Sequence, residues 1–432
     1  MLYTFLFITL LPACLLAQEK EANAAPAVAD QKYITELTTL FNEPAIKKAF
    51  AIIKDLEPQT RKDHILLTQI PAPPFKEEKR GRKYMELLKA AGIDSVWVDK
   101  AGNVIGLRKG KKRSKKVVIE GHLDTVFPEG TDVTVKQRGD TLYAPGIGDD
   151  TRGLITVLTV LRAMQKAAIK TEGDIYFVGT TGEEGLGDLR GVKQLFDGSI
   201  QGINSYISVD GSDRERIVTG GTGSNRYRIS FKGPGGHSYG AFGLANPHNA
   251  SARAIYHFIN TADSFTKKGV KTTYNIGMMG GGTSVNAIPF ESWMEVDMRS
   301  ESAERLKGID TLLKTAVEKA LAEENAMKRI GRPLTVEVKL IGERPTGEQQ
   351  LTEPLIQRQI AVHTLFGARS LVSISSTNSN IPISKGVPAI TIGGGGIGGG
   401  AHSLQEWWLN KEGYLGIQQA LLSVVAEAGL AR

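Results

Sequence analysis

The sequence predicts an α/β protein: a mostly parallel sheet buried on both faces, interrupted by an inserted α+β domain of ferredoxin-like pattern. Three observations carry that expectation. Short apolar runs alternate with helical segments through the first half of the chain, as in a sheet covered by helices on both sides. Between residues 223 and 341 the order becomes strand, helix, strand, strand, helix, strand. After Gly342 the first pattern resumes, so the first domain is discontinuous. A chain of 432 residues also exceeds one ordinary core.

In order, residues 1–17 read as an export signal, because positions 2–16 are apolar yet too short to span a bilayer comfortably. Leu11-Pro12-Ala13-Cys14 resembles a bacterial lipobox, which would make Cys14 a lipidated N-terminus. Ala17-Gln18 would serve instead as an ordinary cleavage site. Either route exports the protein, as a periplasmic or secreted chain, and membrane contact follows only from lipidation at Cys14. Residues 18–31 read as a spacer. Residues 32–222 and 342–432 are the two parts of the first domain, and residues 223–341 are the insert.

Helices are expected over residues 32–54 and 62–69, before the prolines at 71, 73 and 74 break the chain. Another, over residues 77–91, stops at Gly92. Apolar strands end at Leu107, Glu120, Gly179 and Val209, and helices follow over residues 152–168 and 189–196. The insert reads as a strand over 226–232, a helix over 246–261, strands over 272–279 and 291–299, a helix over 302–328 and a strand over 336–341. A helix over 353–365, strands near Leu371 and over 389–392, and a helix over 411–428 complete the chain.

Composition narrows the chemistry. Hydrophobic residues make up 41% and charged residues 23%, as in a soluble globular protein. Cys14 is the only cysteine, so the body of the protein has no disulfide, no thiolate nucleophile and no thiolate metal ligand. Any metal falls to His, Asp and Glu. The formal charge of +7 arises in one run, residues 108–116, which reads as a solvated hairpin loop between two apolar strands. No aromatic residue interleaves it, which argues against nucleic acid.

Acids and histidines gather where strands end. His122-Leu123-Asp124 closes an apolar run, and strand positions two apart share a face. His122 can ligate a metal through one ring nitrogen while Asp124 accepts from the other and fixes the tautomer. Asp149-Asp150 lies in a glycine-rich turn opening onto a helix, where a lone pair would read as a helix cap. Glu183-Glu184 follows a buried strand, so one carboxylate can bind metal while its neighbour moves a proton. Asp210 ends another strand, and His402 follows the glycine-rich residues 393–400. Singly, each has an ordinary structural explanation. Together at one sheet edge, they supply what a paired-metal hydrolase needs.

With these motifs the chain resembles metallopeptidase family M20, which includes glutamate carboxypeptidase, peptidase T, succinyl-diaminopimelate desuccinylase and aminoacylase-1. The resemblance spans roughly residues 35–430. It rests on Gly121-His122-Leu123-Asp124-Thr125-Val126, Gly148-Asp149-Asp150, Thr181-Gly182-Glu183-Glu184, Gly281-Gly282-Thr283-Ser284-Val285-Asn286 and Gly400-Ala401-His402-Ser403. It implies a zinc-exopeptidase catalytic domain whose insert is a lid and dimerisation domain. One Zn2+, with Co2+ or Mn2+ as substitutes, would be held by His122 and Asp210, a second by Glu184 and His402. Asp149 would bridge them, and its bond to Asp150 is a candidate cis peptide. Glu183 would be the general base and Asp124 would support His122. In the lid, His237 would reach the active site of a partner in a homodimer, Asn286 would line the substrate pocket and Arg299 would grip the substrate carboxylate.

Two positions depart from the family pattern: Thr151-Arg152 where a Lys is common, and Asn378 where an Asp is frequent. Within the family, Asp at position 210 accompanies aminopeptidases and dipeptidases, so the resemblance implies an exopeptidase of small peptides. The alternatives are an N-acyl-amino-acid deacylase or carboxypeptidase, and a peptide-binding protein that has lost catalysis. Glu183 argues against the last, since a binder needs no base.

Overall fold

The computed structural model describes residues 26–431, and the export signal with Cys14 lies outside them. The first layer is helical: α1 (Gln31–Asn42), α2 (Pro44–Asp55), α3 (Glu57–Thr68) and α4 (Glu78–Ala90). The single helix expected over residues 32–54 is two helices. Glu43 precedes a proline and is extended, at φ −60° and ψ 133°, and Pro44 begins the next helix, where its missing N–H costs nothing.

The central sheet is mixed and mostly parallel, as expected. Its strands are β1 (Ser95–Val98), β2 (Val104–Arg108), β3 (Lys116–His122), β6 (Asp174–Thr180), β7 (Ser205–Val209), β8 (Arg216–Gly221), β15 (Leu371–Ser375) and β16 (Ala389–Ile392). They lie in the order β1-β2-β6-β3-β7-β16-β8-β15. The four inner strands β6, β3, β7 and β16 run parallel, while β2 and β8 flank them antiparallel. β6 therefore separates β2 from β3, and the basic run is no hairpin. It crosses the start of β6, where Asp174 accepts from the Gly110 N–H and from Arg113 Nε.

One face of the sheet packs on α1, α2, α4, α5 (Thr151–Lys166), α9 (Pro354–Leu365) and α11 (Tyr414–Ala428) in the largest core. The other face packs beneath α6 (Arg190–Gln194) and α10 (Asn380–Ser384). A small antiparallel sheet, β17-β18-β5-β4, joins Lys136–Arg138 (β4) and Thr141–Tyr143 (β5) to Ile397–Gly399 (β17) and Trp407–Leu409 (β18).

The insert has its own core. β9 (Gly223–Lys232), α7 (Pro247–Thr266), β11 (Thr272–Gly281), β13 (Glu291–Ser300), α8 (Ala303–Met327) and β14 (Thr335–Arg344) give the ferredoxin-like element order. The sheet order is β11-β13-β9-β14, all antiparallel. Two-residue strands β10 (Gly236–His237) and β12 (Ala287–Ile288) pair beside it. Alternation fixes the faces: Tyr227, Ile229, Phe231, Met294, Val296 and Met298 are buried in the insert's core, whose helical side is α7 and α8. Arg226, Asp297 and Arg299 therefore occupy the helix-free face.

Candidate metal centre and substrate cleft

The carboxyl ends of β3, β6 and β7 converge with the N-terminus of α5. Close approach makes this possible. A Cβ on Gly153 would lie 2.1 Å from the Val209 carbonyl oxygen, and one on Gly121 would lie 2.7 Å from the Leu154 nitrogen. Without side chains there, α5 presses onto the strand ends and delivers Asp149 and Asp150 beside His122. The Asp149–Asp150 peptide is cis. Asp150 caps α5 by accepting from the Gly153 N–H at 3.0 Å and also accepts the His122 N–H at 2.9 Å.

Asp149 sits between two imidazoles. One oxygen is 2.9 Å from His122 Nε2 and the other 3.1 Å from His402 Nε2. His402 Nε2 is also 3.0 Å from Glu184 Oε1. His402 stands in the left-handed region at φ 64°, a strained conformation for a residue with a side chain. Ligand atoms of His122, Asp149 and Glu184 lie within 4.8 Å of one another. Asp210 is partly buried at the same edge, and its carboxylate makes no hydrogen bond or ion pair among the described residues.

Charge in this cluster is unbalanced toward acid. Burial works against a charge on His122, but Asp149 and the carboxylates around it outweigh burial and lift its pKa well above the usual imidazole range. The hydrogen bonds to Asp149 and Glu184 push His402 up to about 10. Burial raises Asp210, with Asp149 adding to it, and burial likewise raises Glu184. Two imidazoles and three carboxylates, short of positive charge, form a donor set that suits a divalent cation of the zinc type.

Asp124 acts differently from the sequence expectation. His122 Nδ1 is 3.0 Å from the Asp124 backbone oxygen and 3.7 Å from its carboxylate. The carboxylate instead accepts the consecutive N–H groups of Glu183 and Glu184, at 3.0 and 2.8 Å. It orients the two glutamates, while its main chain orients the histidine.

Glu183 is buried, and Arg344 Nη1 donates to its Oε1 at 3.1 Å. Burial holds the Glu183 carboxyl well above the usual range, with Arg344 opposing and Glu184 adding. Besides Arg226 of β9, which sequence reasoning read only as a strand residue, three functional candidates were passed over, the first being Arg344. It ends β14, where register places it in one row with Ser224 and Arg299 across the insert's sheet. The second is Glu406, whose carboxylate accepts the N–H groups of Gly146, Gly148 and Asp149 at 2.6, 2.8 and 2.9 Å. Burial pushes it up to about 7. The third is Arg216 at the start of β8. The available signals were an Arg within two residues of a strand end and an acid beside the tryptophans of β18.

A cleft of about 490 Å3 opens between the centre and the insert. Asp149, Glu183, Glu184, Asp210 and His402 face Arg216, Arg226, Arg299 and Arg344 across it. Arg299 is thus brought to the cleft, donating to Asp297 at 2.7 Å. His237 and Asn286 are not. Both are exposed and lie together on the insert, where the Ser238 N–H donates to the Asn286 carbonyl. The departures from the family pattern are structural. Arg152 is buried and donates to the carbonyls of Gly394, Gly395 and Gly413, and Asn378 donates to Glu120 and Thr180 in a buried network.

Comparison with known proteins places the chain in a family. The family model for peptidase family M20/M25/M40 matches residues 118–426. An uncharacterized protein of Bacillus subtilis, YqjE, is 26% identical over 300 residues, covering 68% of this chain and 76% of that protein. The cytosol non-specific dipeptidase of Escherichia coli is 24% identical over 296 residues, covering 60% of this chain and 57% of the dipeptidase. A crystal structure of a tripeptidase from Staphylococcus aureus superposes with a TM-score of 0.69 at 24% identity, covering 86% of this chain and 99% of that one.

Proposed function

This chain belongs to peptidase family M20/M25/M40, and from that premise we propose that it is a di-zinc exopeptidase of small peptides. Family membership makes it a metal-dependent peptidase or amidohydrolase, and the finer reading rests on the centre. The observation that carries it is Asp149 between His122 and His402, with a further buried carboxylate, Glu183, beside the cluster. His122 and Asp210 would hold one divalent cation, Glu184 and His402 a second, and Asp149 would bridge. Bound there, the cations supply an acidified water and Lewis acidity toward the scissile carbonyl.

The chain's own residues do the rest. Glu183 takes a proton from the attacking water and returns it to the departing amine nitrogen, so the amide C–N bond breaks with a neutral amine leaving rather than an amide anion, while the water's second proton stays with the new carboxyl group, which then ionises. Arg344 fixes the carboxylate and limits how far burial raises it. Asp124 sets the spacing of Glu183 and Glu184 through their amides. Arg226 and Arg299 meet the peptide's C-terminal carboxylate as charge-assisted donors. A peptide substrate is in keeping with the Escherichia coli dipeptidase among the relatives. His237 and Asn286 serve a cleft only as parts of a second copy's lid. A monomeric mass by light scattering with full activity would remove them from the site. Export through residues 1–17 completes the proposal, and mass spectrometry of the mature N-terminus separates acyl-Cys14 from free Gln18.

The decisive assay incubates the zinc-loaded protein with dipeptides, tripeptides and N-acyl amino acids. Turnover confined to peptides is expected, and Glu183→Ala should retain metal while kcat falls at least about 100-fold. No turnover with metal confirmed bound would defeat the exopeptidase reading, and a near-normal rate in the variant would remove Glu183 as base.

A further inference from the structure

The arginines of the cleft are not all accounted for by the acids around them. Arg344 is paired with Glu183 at 3.1 Å. Arg226 and Arg299 share one carboxylate, taking opposite oxygens of Asp297 at 2.9 and 2.7 Å. Arg216 makes neither a side-chain hydrogen bond nor an ion pair among the described residues. Outside the proposed metal ligands, these three guanidiniums have one carboxylate among them, Asp297, and the charge of Arg216 is felt by Asp210, itself a proposed ligand.

Topology explains how Arg216 arrives. β8 runs antiparallel to β16, so its first residue lies at the edge where the parallel strands end. Arg216 lines the main cleft and also a second cavity of about 300 Å3 on the other side of the centre. Asp149, Asp210, Arg216 and Ala401 are common to both cavities, so two of the proposed ligands border both. Asp213 borders the second cavity but is exposed, and its Oδ1 accepts the Glu215 N–H. Among the described residues no acid forms an ion pair with Arg216, and the acid that feels its charge is Asp210. If cations hold Asp210, the half-buried Arg216 guanidinium has no side-chain contact of its own among the described residues, and its charge is available to a ligand.

We infer that Arg216 recognises a second anionic group on the substrate, the side-chain carboxylate of an Asp or Glu on the amino side of the scissile bond. The inference rests on the exopeptidase reading for its orientation: the C-terminal carboxylate lies toward Arg226 and Arg299, which leaves the preceding residue toward Arg216.

Glu-Ala and Gln-Ala differ in charge but hardly in shape, and Ala-Glu moves the charge to the other side. With the zinc-loaded full chain, kcat/KM for Glu-Ala should exceed that for Gln-Ala by at least about tenfold, carried mainly by KM. In Arg216→Gln that ratio should fall to about one, and Arg216→Lys should restore part of it, which a merely structural role would not do. Calorimetric binding of the same two peptides to Glu183→Ala protein should show the same gap without turnover. A ratio near one in the parent protein, a preference for Ala-Glu, or a gap that survives Arg216→Gln would overturn the inference while leaving the peptidase intact. Absence of hydrolysis with an Arg216-dependent binding gap would instead sink the peptidase reading and keep the anion site.

Discussion

The carboxylate of Asp124 makes two bonds to consecutive amides, so removing it should loosen Glu183 and Glu184 together. Asp124→Ala leaves two buried N–H groups unsatisfied, at a cost of about 1–3 kcal/mol each. It also frees a proposed ligand and the proposed base. Zinc affinity should drop about 10- to 100-fold, as for loss of a group that orients ligands. Asp124→Asn keeps one accepting oxygen and should fall between. A chelator-competition titration reads this directly, and a wild-type affinity in Asp124→Ala would show that the loop holds itself. At this scale the sequence was legible where chemistry is unusual at strand ends: His122, Asp149, Glu183, Glu184, Asp210 and His402. It was silent on Arg216, Arg344 and Glu406. Their neighbours in sequence are ordinary, and their roles come from an antiparallel strand, a sheet row and a turn that only folding brings together.

At the scale of elements, the placement of α5 against β3 and β7 decides whether those side chains meet. A methyl at position 153 would collide with the Val209 carbonyl and with Asp150 Oδ1, at 2.1 and 2.3 Å. The first is backbone and cannot swing aside. Gly153→Ala should therefore destabilise the fold by about 1–3 kcal/mol and displace the Asp149–Asp150 turn, weakening metal binding. Thermal melts of apo and zinc-loaded protein test both parts, and an unshifted melting temperature in each state would refute the close-packing account. Most helices and strands were readable because their apolar spacing is regular over many residues. The break at Pro44 was missed because both sides share one amphipathic pattern. The sheet β17-β18-β5-β4 was missed because three-residue strands carry no period. The supposed hairpin around residues 108–116 failed for a third reason, since sequence adjacency does not specify strand pairing and β6 inserts between β2 and β3.

Two buried histidines shape the response of the whole molecule to acid, and one of them ties an outer helix to the turn beside the centre. His64 on α3 is fully buried, with Nε2 2.6 Å from the Ile147 carbonyl in the turn that leads to Asp149. Burial pulls its pKa down to about 3, with Arg152 adding to the effect, and burial brings His363 down to about 4. In the unfolded chain both titrate near 6.5. Below that pH the unfolded chain binds protons that the folded chain refuses, so stability falls with pH from about 6.5 toward 3. Glu406 works the other way. Its folded pKa of about 7 lies above the unfolded value, so the folded chain gains relative stability as pH falls from 7 toward 4.5. Glu406 is not alone, since burial also raises Glu183, Glu184 and Asp210, so the whole-protein slope sums opposing contributions and a single-site comparison is needed to see the histidine's. Comparing His64→Gln with the parent isolates one term. The variant should be less stable at pH 7 through lost packing. The two unfolding free energies should then converge by about 1.4 kcal/mol per pH unit between about 6 and 4, because only the parent carries the buried imidazole. Urea unfolding at pH 7, 6, 5 and 4 measures this. Parallel curves would mean that His64 is protonated in the folded state, and that the contact between α3 and the Asp149 turn survives acid on its own.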